Sequence, residues 1–157
     1  MGVHEIPESE LNGSGLRIGV VVARFNKAIT EELLAGCLAE FDRRGVTDLD
    51  IEVCWVPGAF ELPLVAKQLA TKGTVDAVVC LGAIVRGDTA HFDYVAMGAT
   101  QGILSAALDT GVPVIFGVLT VDNQAQAVDR IGGKEGHKGE EAALTAIEMA
   151  LLTKSIA

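Results

Sequence analysis

Four stretches of this chain hold side chains that could do chemistry. The richest is Gly82-Ala-Ile-Val-Arg-Gly-Asp-Thr-Ala-His-Phe-Asp-Tyr94, where an apolar run gives way to a turn and then to helical periodicity. Gly87, Asp88 and Thr89 can offer backbone N–H groups and a hydroxyl at the start of that helix. Such a turn suits phosphate, because the unpaired N–H groups and the helix dipole both favour an anion. His91 follows, and an imidazole that titrates near neutrality can both take and give a proton. The same residues also fit a plain helix cap with an incidental histidine.

The second stretch, Arg130-Ile-Gly-Gly-Lys-Glu-Gly-His-Lys138-Gly-Glu-Glu141, sets three basic side chains and a histidine among glycines. In a chain of net charge -9, it is the local positive island that an anionic substrate would need. A solvated connection between helices is the bland alternative. Glu141, three residues after Lys138, can hold that lysine as a helical pair. The third stretch is Arg24-Phe25-Asn26. Aromatic residues make up only 4% of the chain, so a phenylalanine in a polar loop suits either stacking on a flat heterocycle or plugging a strand end. In the fourth, Gly58-Ala59-Phe60-Glu61, small residues let backbone approach a ligand. Glu61 there suits a polyol, or simply the first turn of a helix. Phe116, inside an apolar run, reads as core.

The elements that must position these loops alternate. Strands are expected at Leu16 to Ala23, Ile51 to Val56, Ala77 to Val85 and Val114 to Leu119, as short, β-branched, nearly continuous apolar runs. Helical stripes are expected over Thr30 to Arg44, Leu62 to Leu69, Tyr94 to Thr110, Asn123 to Arg130 and Gly139 to Lys154. Alternating strands and helices imply a parallel sheet covered on both faces. The expected fold is α/β: a three-layer αβα sandwich on a four-stranded parallel flavodoxin-like sheet of order 2-1-3-4. Ligands in such folds bind beyond the carboxyl ends of the strands, where strand order reverses. Four loops lie at such ends, Arg24 to Asn26, Pro57 to Glu61, Arg86 to Asp93 and Thr120 to Asn123, and functional residue types crowd all but the last.

A chain of 157 residues with 50% hydrophobic and 21% charged residues suits one globular domain, here 1–157 with residues 1–14 as an N-terminal arm. The first dozen residues are polar and expected outside the sandwich. Net charge -9 argues against nucleic acid and anionic membrane as partners. No apolar run is long enough to span a bilayer. The N-terminus has neither a basic start nor an apolar stretch, so a cytoplasmic location is expected. Cys37, Cys54 and Cys80 lie far apart and read as small buried hydrophobes. They form no ligand spacing with His4, His91 and His137, so no metal is expected.

Together the blocks ARFN at 23–26, PGAFELP at 57–63, LGAIVRGDTAHFDYV at 81–95, TQG at 100–102, FGVLT at 116–120, the pair DR at 129–130 and KGEEAA at 138–143 resemble the lumazine synthase family. Only the first fifteen or so residues lack a match, and the RGDTAHFDYV block is highly specific. The resemblance implies condensation of 5-amino-6-(ribitylamino)pyrimidine-2,4-dione with 3,4-dihydroxy-2-butanone 4-phosphate. The product would be 6,7-dimethyl-8-ribityllumazine, formed without cofactor or metal. It implies that Phe25 stacks on the pyrimidine and that Ala59, Phe60 and Glu61 bind it, Glu61 through the ribityl hydroxyls. Ala83, Ile84 and Val85 would line the ring through backbone. Asp88 and Thr89 would hold the ketone phosphate, with Arg130 and Lys138, and His91 would be the general acid/base. Phe116 would close the site from a neighbouring subunit, against its reading as core.

Family members form pentamers or sixty-subunit icosahedral shells. The short Gly132–Gly139 connection resembles the shell-forming members, so a pentamer-based sixty-mer is expected, with riboflavin synthase as an associated partner. Val3 and Ile6 could add a strand to a neighbour's sheet. Two other classes compete: a carrier that binds lumazine without turnover, and a cage protein. His91, Arg130 and Lys138 together favour the enzyme over the carrier, and only activity separates enzyme from cage.

Overall fold

A computed structural model describes residues 1–157. Strand β1 (Ile18–Ala23) is buried along its whole length, as its unbroken apolar run requires when both faces of a sheet are covered. Helix α1 (Lys27–Arg43), β2 (Ile51–Val56), α2 (Leu62–Thr71), β3 (Ala77–Val85), α3 (His91–Thr110), β4 (Val114–Val121), α4 (Gln124–Val128), a small hairpin of β5 (Ile131–Gly133) and β6 (Gly136–His137), and α5 (Lys138–Ile156) follow. The main sheet runs β2-β1-β3-β4 and is parallel throughout. This is the expected order and architecture, a flavodoxin-like α/β sandwich.

Alternation along the strands divides the core between two faces. Val20, Val22, Val79 and Leu81 pack with Leu33, Cys37 and Phe41 of α1 and with Ala143 and Ile147 of α5. Val21, Val78 and Cys80 pack with Leu62, Ala66 and Leu69 of α2 and with Ala99 and Ile103 of α3. Each fully buried Val, Leu or Ile contributes about 1.5–3 kcal/mol, so both helical layers are held by many such side chains. Helix α3 stops at Gly111, whose φ of 71° places it in the left-handed region as its N–H reaches the Ala107 carbonyl at 2.9 Å.

The structure moves several expected boundaries. Helix α1 begins at Lys27 rather than Thr30, and α3 at His91 rather than Tyr94. The hairpin β5–β6 occupies the glycine-broken stretch that reads as a plain connection. Cys37 and Cys80 are buried as expected, but Cys54 on the edge strand β2 is only half-buried, because one flank of that strand has no neighbour. Of the polar first dozen residues, Leu11 belongs to the core and Ile6 packs against it. The expectation that they lie outside the sandwich therefore fails at these two apolar positions. Residues 1–7 form no strand. Phe116 is 43% exposed on β4, which corrects its reading as core: β4 is the other edge of the sheet. Tyr94, Met97, Leu104 and Leu108 stand exposed along α3. No helix is long and apolar enough to cross a membrane.

Candidate active site

Strand order reverses between β1 and β3, and a cleft of about 710 Å³ opens there, beyond their carboxyl ends. The loop after β1 gives Phe25, the loop after β2 gives Pro57 to Glu61, and the end of β3 gives Ala83, Ile84 and Val85. The turn into α3 gives Gly87, Thr89 and His91, and the first turns of α3 add Phe92, Tyr94 and Val95.

Local chemistry fixes this arrangement. Main-chain pairing continues past β1, with Arg24 donating to Val56 at 2.8 Å and Phe25 to Pro57 at 3.0 Å. Asn26 then takes a left-handed conformation (φ 61°), the one such non-glycine residue in the chain. Asparagine tolerates that region better than most residues. Its side-chain amide donates to the Ala83 carbonyl at 2.7 Å, which ties the Phe25 loop to β3 across the mouth of the cleft. Phe25 is left 72% exposed and Phe60 62%. Large apolar rings standing in water are informative where they meet in a concave site. Glu61 precedes α2, whose Pro63 fits the first turn of a helix. Its N–H donates to Gly58 at 3.2 Å.

His91 is the first residue of α3 and is exposed. Its backbone N–H is taken by the Thr89 hydroxyl at 3.3 Å, while its imidazole makes no hydrogen bond within the chain. The ring is therefore free to exchange protons with a bound molecule. Asp88 is exposed but does not line the cleft. Just outside, Arg86 is spoken for: it lies 3.0 Å from Asp122 and 3.5 Å from Asp93, and 4.3 Å above the Phe92 ring. Hydrogen bonding to Asp122, with the charge of Asp93, pushes its affinity for its proton up further.

The remaining expected residues lie elsewhere. Arg130, Lys138 and Phe116 line a second cleft of about 620 Å³ along the open edge of β4. Arg130 donates to the Gln126 carbonyl at 2.9 Å, and Lys138 pairs with Glu141 at 3.1 Å, the helical pair that the spacing suggests. Lys134 of the same basic stretch turns away to Asp129 at 3.7 Å. One chain thus holds a ring slot with an imidazole at the sheet's centre and a basic cradle with an aromatic at its edge. It does not bring them together.

Sequence reasoning missed Asn26 as a tether, although an asparagine directly before a helix is a signal for both capping and left-handed backbone. It also missed Tyr94 and Phe92 as lining, since two aromatics two residues apart at a helix start carry no signal that separates a cleft wall from a packed or solvated face. No cluster of three or more His, Cys, Asp or Glu side chains converges to hold a metal ion.

The family model described as 6,7-dimethyl-8-ribityllumazine synthase matches residues 15–154. That span takes in the sheet, the five helices and both clefts, leaving out only the N-terminal arm and the last residues of α5. With the sheet order and the switch-point cleft agreeing, the chain belongs to the 6,7-dimethyl-8-ribityllumazine synthase family, a family of riboflavin biosynthesis.

Proposed function

We propose that this chain is a lumazine synthase transferase that condenses 5-amino-6-(ribitylamino)pyrimidine-2,4-dione with 3,4-dihydroxy-2-butanone 4-phosphate, releasing 6,7-dimethyl-8-ribityllumazine, phosphate and water. The observation that carries this reading is the convergence of an exposed aromatic ring, Glu61 and an unpaired imidazole in one switch-point cleft.

In this reading the pyrimidine stacks on Phe25, its edge meets the backbone of Ala83, Ile84 and Val85, and its ribityl chain runs past Ala59 and Phe60 to Glu61. The amine attacks the ketone carbonyl and water is lost as the imine forms. Phosphate then leaves, and ring closure by the ribitylamino nitrogen releases water again. Each step moves a proton, and His91 takes or supplies it. Thr89 and Asp88 present the turn to the phosphate, and Arg130 and Lys138 neutralise it. The protein's main contribution is to hold two reactants in register, an effect worth up to about 11 kcal/mol.

Because Arg130, Lys138 and Phe116 lie on the open β4 edge, the complete site forms between chains: the cradle of one copy closes over the ring slot of the next. This fits a closed ring, the pentamer, with the sixty-subunit shell built from such rings. The exposed apolar row on α3 supports burial against another copy. The reading extends to one domain over 1–157, a cytoplasmic enzyme and an association with riboflavin synthase. Incubating purified protein with both substrates and following lumazine absorbance tests the activity. Tight lumazine binding without turnover would make the chain a carrier instead. Sedimentation velocity tests the assembly, and a monomer that turns over at full rate would refute the shared site.

A further inference from the structure

His137 lies outside every role assigned above, yet it touches each element that holds the basic cradle. Its Nδ1 accepts from the backbone N–H of Gly139 at 3.2 Å and of Glu140 at 3.3 Å. It thereby caps α5, with the proton of the neutral ring left to Nε2. The ring is seated against α1 at Gly36, where a Cβ would run into its Cε1, Nε2 and Nδ1 atoms. A Cβ at Gly139 would likewise run into the Leu33 carbonyl of α1. On its other side, residue 137 pairs with Ile131 in the β5–β6 hairpin, and the N–H of Lys138 donates to the Arg130 carbonyl at 2.8 Å.

The two cationic side chains are each held locally, Arg130 by Gln126 and Lys138 by Glu141. Neither contact sets the distance between them. That distance depends on where α5 starts relative to the hairpin: the Lys138–Arg130 backbone bond is one tie, and the imidazole wedged between α1 and α5 is the other. Asn, Asp, Ser or Thr would cap a helix as well. Only a larger ring also fills the space over Gly36.

We propose that His137 is a positioning residue for phosphate: by capping α5 against Gly36 it fixes the spacing of Arg130 and Lys138. This rests on the anion-binding reading of those two side chains. The test is steady-state kinetics of the assembled protein with each substrate varied in turn. His137→Ala is expected to raise KM for the phosphorylated ketone about fivefold, the low end of a coupling between two sites, with kcat and the pyrimidine KM nearly unchanged. His137→Asn keeps an acceptor at the cap but leaves the space over Gly36 unfilled, and is expected to recover only part of that loss. Gly36→Ala, a change on α1, is expected to raise the ketone KM in the same direction by displacing the ring. Inhibition by inorganic phosphate is expected to weaken in step.

A His137→Ala variant with the ketone KM of the wild type overturns the proposal, provided Arg130→Ala raises it. So does a variant whose two KM values rise together. If His137→Ala does not assemble, an unchanged ketone KM in Gly36→Ala overturns the proposal instead. Should Arg130→Ala itself leave the ketone KM untouched, the anion reading fails, and the role of His137 falls with it.

Discussion

His91 gives the sharpest expectation at the scale of single residues. Its ring has no partner in the chain, so its removal leaves no buried group unsatisfied and the fold intact. His91→Ala is expected to lower kcat by roughly a hundredfold or more, the usual worth of a placed acid/base. Unchanged circular dichroism and a rate of lumazine formation equal to the wild type would remove it from the mechanism. Arg130→Ala is expected to weaken the phosphorylated ketone about tenfold while sparing the pyrimidine, as for loss of a charge-assisted contact. The thiols make a second kind of prediction. Burial pushes Cys37 and Cys80 up to about 12, so they stay protonated and unreactive through pH 8. Cys54 is half-buried at the sheet edge, and a thiol reagent followed by intact mass is expected to mark it first. Phe25, Glu61 and His91 were singled out by residue type and loop position, though each kept a structural alternative that their shared cleft now weighs against. Phe116 was not, because an apolar residue on an edge strand has the same local pattern as one in the core.

At the scale of elements, the joint between α1, α5 and the N-terminal arm is the most informative. Glu40 is 6% exposed and accepts from both Arg43 and Arg44. Arg43 also reaches Glu140 of α5 at 3.3 Å, and Arg44 donates to the Glu8 carbonyl at 3.3 Å. Burial alone would push the Glu40 carboxyl up, but the hydrogen bonds and charges of the two arginines outweigh it and hold the group below its ordinary value. A depressed carboxyl stabilises the fold above its unfolded value of about 4.3 and loses that contribution as pH falls through the folded value. Glu40→Gln is therefore expected to cost about 1–2 kcal/mol at neutral pH, read from denaturation midpoints at fixed protein concentration. The gap to the wild type is expected to close below about pH 4. A gap that widened in acid would show that Glu40 is not held as a carboxylate. The central strands β1 and β3 were legible because strands buried on both faces are unbroken apolar runs, and the edge strands β2 and β4 because β-branched residues dominate them. The starts of α1 and α3 were not, because Lys27, Ala28, His91 and Asp93 add nothing to an apolar period. The hairpin β5–β6 escaped because its glycine-rich segment pairs through backbone alone.

For the whole molecule, the two clefts at different places on one sheet make a strong prediction. If each complete site takes its ring slot from one copy and its cradle from the next, lesions in the two halves complement. An equal mixture of His91→Ala and Arg130→Ala chains, unfolded and reassembled together, is expected to recover about a quarter of wild-type activity, because a random ring joins intact halves at that frequency. Activity no greater than the sum of the separate variants would place both groups in one chain's site. Charged replacements on the exposed α3 row, such as Leu104→Glu with Leu108→Glu, are expected to reduce the sedimentation coefficient and the activity together while the secondary structure persists. This level of organisation was the least legible from the residues, since nothing in the periodicity of a single strand tells whether its free flank meets water or another copy.

The open flank of β4 ties the proposed activity to concentration. If the site is shared as proposed, a solitary chain has no neighbouring slot for its cradle to close over and is expected to be inactive however well folded it is. Turnover per chain is then expected to fall on extreme dilution and to climb with concentration until rings are saturated. On the shared-site reading, product forms only after copies meet, and the lag before the first product is expected to shorten as the chain is concentrated.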